Sequence, residues 1–326
     1  MGARKQIPRD LGPVFRVGDA LAAGVGSGRL RGRDLERPFH GVRTLAHTRG
    51  DDADSWDARR AELVRLARAY APLLRENQFF SHETAIAIWG APLASHGRRE
   101  LDVSVMGNGS LPRGQGVRGH RVHPEATSTR IAQGLRVASF ATMWASMGAS
   151  MSRDELVALG DYGCRVWRTG ENRPHPGRSP LATPAQLEAA ATAGRRRGAA
   201  TLRAALPLIR LDAWSPRETA TRLVLIDTGL PEPRLNVDVF DAYGDFLACP
   251  DLAYPEHKIA IEYQGQLHGG RYAADIERVE RLRAAGWIVI QVTSETLRFP
   301  NIVARRVRDA LRERGWTPEG DAFGLQ

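Results

Sequence analysis

The stretch CPDLAYPEHKIAIEYQGQLH, residues 249–268, reads as two strands around a turn at Pro255-Glu256-His257-Lys258. The first strand carries Asp251, and the second sets Glu262 inside an otherwise apolar run. Residues of one parity in a strand share a face. Ile259, Ile261 and Tyr263 therefore make a face suited to a core, while Lys258, Ala260, Glu262 and Gln264 make the other. Glu262 and Gln264 become neighbours, about 7 Å apart along the strand. If the preceding segment DFLACPDLAY pairs antiparallel through the turn, Asp251 comes to lie beside Glu262.

Two ionised carboxylates side by side repel each other and lose hydration. Such a pair is kept when a cation neutralises it, when it shares a proton, or when it stays exposed. A hard cation such as Mg2+ or Mn2+ prefers oxygen ligands and commonly takes one or two carboxylates, water and a substrate phosphate. The ion would polarise that phosphate and help to generate hydroxide.

The rest of the composition suits a polyanionic partner. The chain has 326 residues, a formal net charge of +9 and ordinary hydrophobic (42%) and charged (25%) fractions, so two domains with filled cores are expected. Arginine supplies nearly all of the basic charge, and its planar fork matches phosphate. DNA or RNA is the natural partner of such a surface, although a GC-rich genome also favours Arg over Lys. Two cysteines, Cys164 and Cys249, exclude a disulfide framework and a four-thiolate zinc site, and fit a reducing cytoplasm. No apolar run approaches the roughly 18 residues that span a bilayer, and the N-terminal basic residues precede no apolar segment, so neither membrane insertion nor secretion is expected. Met-Gly opens the chain, but Gln6 stands where a myristoylation signal wants Ser or Thr.

Along the chain, Leu63, Leu66, Ala67, Tyr70 and Leu74 recur at helical spacing. A second helix, SHETAIAIWG, opens at Ser81 with Glu83 in its first turn and Gly90 as a stop. Two alternating pieces, residues 101–106 and 117–123, follow across a Gly-rich loop. Helix, helix and two-stranded ribbon is the order of a winged helix. Ser152 with Glu155, and Thr183 with Pro184 and Gln186, predict further helix starts. The Pro- and Gly-rich segment 169–184 predicts the domain boundary. The expected division is a helical, winged-helix-like domain over 1–180, a helical connector over 181–212 and a small mixed-sheet domain over 213–326. The fold class is α/β in the α+β sense.

At this point three ordered blocks carry a resemblance: SPRETATRLVLIDTGLPEP, PDLAYPEHKIAIEYQGQLH and RLRAAGWIVIQVT. Together they resemble the endonuclease-domain family of the PD-(D/E)xK superfamily related to very-short-patch-repair nucleases, over roughly residues 213–312. The pieces LRGRDLERPFHGVR, FFSHETAIAIWGAPL and LDVSV are similar to antitoxins of abortive-infection type IV toxin–antitoxin systems, which have a winged-helix DNA-binding region. The resemblance implies a restriction-endonuclease-like mixed sheet flanked by helices, and metal-dependent endonuclease action on DNA, duplex or branched. It also implies metal ligands at Asp251 and Glu262, with the backbone carbonyl of Tyr263 as a third oxygen. Glu218 matches the family's additional acid; a capping box from Ser215 and an ion pair with Arg222 explain it as well.

Gln264 departs from the superfamily pattern, which has Lys there to orient the attacking water. Gln is neutral and cannot act as a base, yet it can position water by hydrogen bonding. Lys258 lies on the same face but about 13 Å from Glu262, too far to replace it. His268, just past the strand, is the better acid–base candidate, against a plain loop reading beside Gly269 and Gly270. Asp275 and Arg278 on the next helix would brace the site or contact phosphate, or else belong to a solvated helix face. Arg195, Arg196 and Arg197 form a phosphate-contacting patch or a solvated helix end. His120 and His123 have a ligand-like gap without thiolate partners, which argues against zinc. Asp238 and Asp241 read as turn acids. The rival to the nuclease is a catalytically inactive, antitoxin-like DNA-binding regulator, which Gln264 favours. Either a monomer or a homodimer is compatible with the sequence.

Overall fold

A computed structural model describes residues 6–46, 56–92, 100–171, 173–264 and 272–318. The chain forms two compact units that exchange segments: residues 1–156 with 182–206, and 157–181 with 207–326. The expected connector, 181–212, is thus shared out, and a piece of the expected first domain belongs to the second unit. Mixed sheets and helices in both units make the molecule α+β.

The first unit opens with strands β1 (Val14–Arg16), β2 (Leu35–Glu36) and β3 (Val42–Leu45), and a short helix α1 (Val17–Ala22). Phe15, Ala20, Val25, Leu30 and Leu35 fill a small core there. Helix α2 (Trp56–Tyr70), strand β4 (Gln78–Phe80) and helix α3 (His82–Trp89) follow, then β5 (Leu101–Met106), β6 (Val117–Val122), β7 (Thr129–Ala132) and β8 (Leu135–Ala138). These strands build one five-stranded sheet in the order β6-β5-β4-β8-β7. Helix α4 (Phe140–Ser146) follows, and α5 (Arg153–Cys164) runs across the division between units. Helices α6 (Pro184–Thr192) and α7 (Ala199–Ala205) return to the first unit. The capping residues read from the sequence act as expected at α5 and α6: Ser152 exchanges bonds with Glu155, and Thr183 with Gln186.

The winged-helix ribbon is not formed. Instead of an antiparallel wing, β5 and β6 pair in parallel, from Leu101↔Val117 to Met106↔Val122. Their connection must therefore run back along the sheet rather than turn over. Gly119 lets it do so, because a Cβ there would collide with the carbonyl of Pro112. Gly116, at φ 76°, makes the re-entry into β6.

In the second unit, helix α8 (Pro216–Asp227) precedes strands β9 (Arg234–Leu235), β10 (Val239–Phe240), β11 (Phe246–Ala248), β12 (Leu252–Tyr254) and β13 (Ile259–Gln264). Helix α9 (Tyr272–Ala284), strand β14 (Ile288–Thr293) and helix α10 (Pro300–Glu313) complete it. The main sheet has the order β14-β13-β12-β9, and β10 pairs with β11 as a separate hairpin. The expected strand DFLACPDLAY breaks at Cys249-Pro250, since proline has no N–H for a ladder. β12 and β13 are antiparallel around the expected turn, where Lys258 takes a left-handed φ of 50°. Parallel β13 and β14 need a crossover, which α9 supplies.

The two faces of this sheet bury different sets. Leu252, Ile259 and Ile261 pack with Leu225 of α8 and with Val303, Val307 and Leu311 of α10. Those α10 positions follow the helical period. Ala253 and Ala260 pack on the opposite face with Leu282 of α9, Trp287 and the hairpin's Val239 and Ala248. Arg222 of α8 does not pair with Glu218. It is fully buried and holds Asp161 at 3.2 Å, Glu232 at 2.9 Å and the Leu208 carbonyl at 2.8 Å.

Candidate active site

The ladder Leu252↔Ile261, Ala253↔Ala260 makes Asp251 and Glu262 the next opposed pair. Parity puts both on the face of Ala253 and Ala260, opposite Leu252 and Ile261. Directly opposed residues have Cβ atoms about 5 Å apart. Asp251 is further tied to this place, because its Oδ2 accepts the Tyr263 N–H at 2.8 Å. Its own carbonyl accepts the N–H of Asn236 at 3.1 Å.

Glu262 is 1% exposed. Arg278 of α9 reaches it, with Nη2 3.2 Å from Glu262 Oε2. Arg278 is therefore committed to a carboxylate rather than presented to solvent. Glu218, near the start of α8, is also buried, and its Oε2 accepts from Trp214 N at 2.8 Å and Asn236 Nδ2 at 2.7 Å. The Ser215 hydroxyl caps the helix by accepting the Glu218 N–H at 3.2 Å, but the Glu218 carboxylate goes elsewhere, so the capping box is only half formed. Burial, and then the neighbouring charge of Asp251, push the Glu218 carboxyl up to about 7.

Asn236 joins the acids, and sequence reasoning missed it. At its left-handed φ of 48° one residue serves five partners: its N–H goes to the Asp251 carbonyl, its Nδ2 to Glu218 and to the Asp212 carbonyl, and its own carbonyl accepts from Arg173 at 3.1 Å and Arg168 at 3.3 Å. Asparagine is the side chain that tolerates this backbone and still donates. Arg173, buried, also pairs with Asp238 at 2.6 Å, so Asp238 is an ion-pair partner and not a turn acid. Asp241 does cap its turn, accepting from Tyr243 and Asp245 N–H groups. Arg165 stacks 3.8 Å from the ring centre of Trp167 and 4.8 Å from that of Trp214, and Arg217 lies 5.8 Å from that of Tyr263. Lys258 points away to the Ala285 carbonyl at 3.3 Å.

Gln264 ends β13, opposite Thr293 of β14. His268 and the side chain of Asp275 lie outside the described residues. Arg195, Arg196 and Arg197 belong to the first unit. Arg196 is half-buried and donates to the carbonyls of Ala190, at 3.0 Å, and Ala126, whereas Arg195 and Arg197 are exposed.

The donor set Asp251, Glu262 and Glu218 is all oxygen, with both glutamates buried and Asp251 half-buried. These residues fit a hard divalent ion, with Arg278 as the resident competitor for Glu262. Among the described residues, the metal-competent trio whose ligand atoms all fall within 4.8 Å of one another lies elsewhere, at His82, Asp102 and His120.

No family model matches the chain, and no solved structure matches it. Two uncharacterized proteins of Mycobacterium tuberculosis, MT2308 and Rv2248, are each 33% identical to it over 116 residues. That alignment covers 34% of this chain and 42% of the length of either relative.

Proposed function

We propose that the second unit is a metal-dependent endonuclease that hydrolyses phosphodiester bonds in DNA, duplex or branched. The observation that carries this reading is the placement of Asp251 and Glu262 as the next opposed pair on one sheet face, with buried Glu218 beside Asp251. The resemblance to PD-(D/E)xK nucleases supports it. Asp251 and Glu262 would hold Mg2+ or Mn2+, with the Tyr263 carbonyl as a further oxygen. When bound, the ion supplies a Lewis acid for the scissile phosphate and a source of hydroxide. Glu218, its carboxyl pushed up to about 7, is in good part protonated near neutral pH and so relieves the repulsion within the acid group. Arg278, which pairs with Glu262, would offer its guanidinium to a substrate phosphate at this site. Gln264 orients the attacking water by hydrogen bonding, and His268 serves as acid or base. Arg165 and Arg217 lend positive charge to the surroundings.

Incubation with supercoiled plasmid and Mg2+ tests the reading. Wild type is expected to nick it, and Asp251→Ala with Glu262→Ala to lose at least about 100-fold in rate. Equal nicking by both proteins removes the assignment. The Arg278–Glu262 pair and Gln264 favour a second reading, an antitoxin-like DNA-binding regulator without catalysis. Salt-sensitive DNA binding, with no cleavage under any divalent ion, selects it. Among the described residues no helix is long and apolar enough to cross a membrane. A cytoplasmic place of action is part of the proposal.

A further inference from the structure

Helix α3 begins with a residue in an unusual backbone state. His82 has φ 46°, a left-handed conformation that a non-glycine residue seldom adopts. Its ring lies against that of His120, with centroids 3.8 Å apart and planes 20° from parallel. His120 Nε2 is 2.7 Å from Asp102 Oδ1, and Asp102 is buried. Residues 38 positions apart thus meet because α3 starts above the sheet while β5 and β6 run side by side. In that parallel register Ser104 opposes His120, so Asp102 and His120 share a sheet face across adjacent strands.

We propose that His82, Asp102 and His120 form a second metal site, an open three-ligand centre for a divalent transition ion of the zinc class. One ligand atom from each residue already falls within 4.8 Å of the other two. Two imidazoles and one carboxylate select zinc-like ions over Mg2+, which prefers oxygen alone. Coordination requires the His82 ring to turn out of the stack, so that its lone pair faces the ion. His82 Nδ1 is 3.0 Å from Ser81 Oγ, which accepts from Ser104 Oγ at 2.8 Å, so Nε2 is the ring nitrogen left for an ion. Such outer contacts orient metal-binding imidazoles. Ser81 therefore holds the histidine rather than capping its own helix, and no side-chain cap bond forms there.

The fourth position is open. His82 and His120 line a cleft of about 1380 Å3 in the first unit, together with Arg118, Arg121, His123, Arg195 and Arg197, and three glutamates. Three protein ligands with one open position are the pattern of zinc sites that act on a ligand, and closed four-ligand sites are the structural ones. The surrounding arginines suit an anionic oxygen, such as phosphate, at that position. In the sequence His120 is weighed with His123 and finds no thiolate; the residues that stand beside His120 are His82 and Asp102.

Cobalt substitution tests the site, using the full chain without a histidine tag. One equivalent of Co2+ is expected to produce visible d–d absorption, and Zn2+ to abolish it by displacement. His82→Gln and His120→Gln should each weaken Co2+ binding by about 100-fold or more, since even outer-contact losses cost 10–100-fold. Asp251→Ala with Glu262→Ala should leave the absorption intact, which separates this site from the proposed nuclease centre. A wild-type protein that gives no stoichiometric absorbing complex overturns the proposal. So does binding that survives both histidine changes, or that disappears with the second unit's acids.

Discussion

Glu218 illustrates how one carboxyl can serve stability and chemistry in opposite directions. Unfolded, it ionises near 4.5; folded, near 7, because burial and Asp251 disfavour its charge. Its contribution to stability is fully present below pH 4.5 and is lost as pH rises through 7. Glu218→Gln carries no such slope. Its melting temperature is therefore expected to rise relative to wild type between about pH 5 and pH 8, by the equivalent of up to about 3 kcal/mol. Melts in buffers across that range, without divalent ions, check this; a pH-independent gap would sink it. Adding Mg2+ at the alkaline end should narrow the gap, because a bound cation relieves the same repulsion. At this scale the sequence was informative where strand parity rules: the shared face of Asp251 and Glu262 follows from alternation together with the hairpin offset. Asn236 was not legible, since nothing local says that its backbone turns left-handed or that five partners converge on it.

At the scale of elements, α8 is held by more than its apolar stripe. Arg222 has no exposed side-chain surface, and Asp161 has 2%. Removing Asp161 leaves buried Arg222 with the partly exposed Glu232 as its remaining acid, at a cost of about 3 kcal/mol, the low end for breaking a buried pair. Asp161→Ala is expected to lose that much in urea unfolding, whereas Asp161→Leu with Arg222→Met should recover most of it. A double variant as unstable as the single one would refute the charge-stranding account. The pair was invisible in the sequence because the residues lie 61 positions apart, and helical periodicity offered Glu218 as a nearer partner. The direction of β5 and β6 was hidden for a related reason. Alternation marks a strand but not which way its neighbour runs, and only the collision at Gly119 reveals the returning chain. The β12–β13 hairpin was legible because turn chemistry and offset are local.

For the whole molecule, the exchanged segments decide what can stand alone. A fragment over 207–326 has the main sheet but lacks Asp161 and Arg173, the partners of Arg222, Asn236 and Asp238. It is expected to show no cooperative melt by circular dichroism, while adding 157–206 restores one. Cooperative unfolding of the shorter piece at wild-type temperature would show that the borrowed segment is dispensable. Composition had announced two cores and a basic chain, and the Pro- and Gly-rich stretch 169–184 spans one of the crossings between units, at 181/182; the crossings at 156/157 and 206/207 carry no such mark. Breaks in periodicity locate loops, not the side on which a segment finally packs.

The exchange also sets a timetable on the ribosome. Helices α6 and α7 reach the first unit only after residues 157–181 have left the tunnel, so that unit cannot close before position 206 emerges. Meanwhile Asp161, with its basic partner still unsynthesised, waits in solvent until α8 arrives. The first unit can close once position 206 is out, the second has to wait for residues 207–326, and a nascent chain stalled near residue 200 would hold neither.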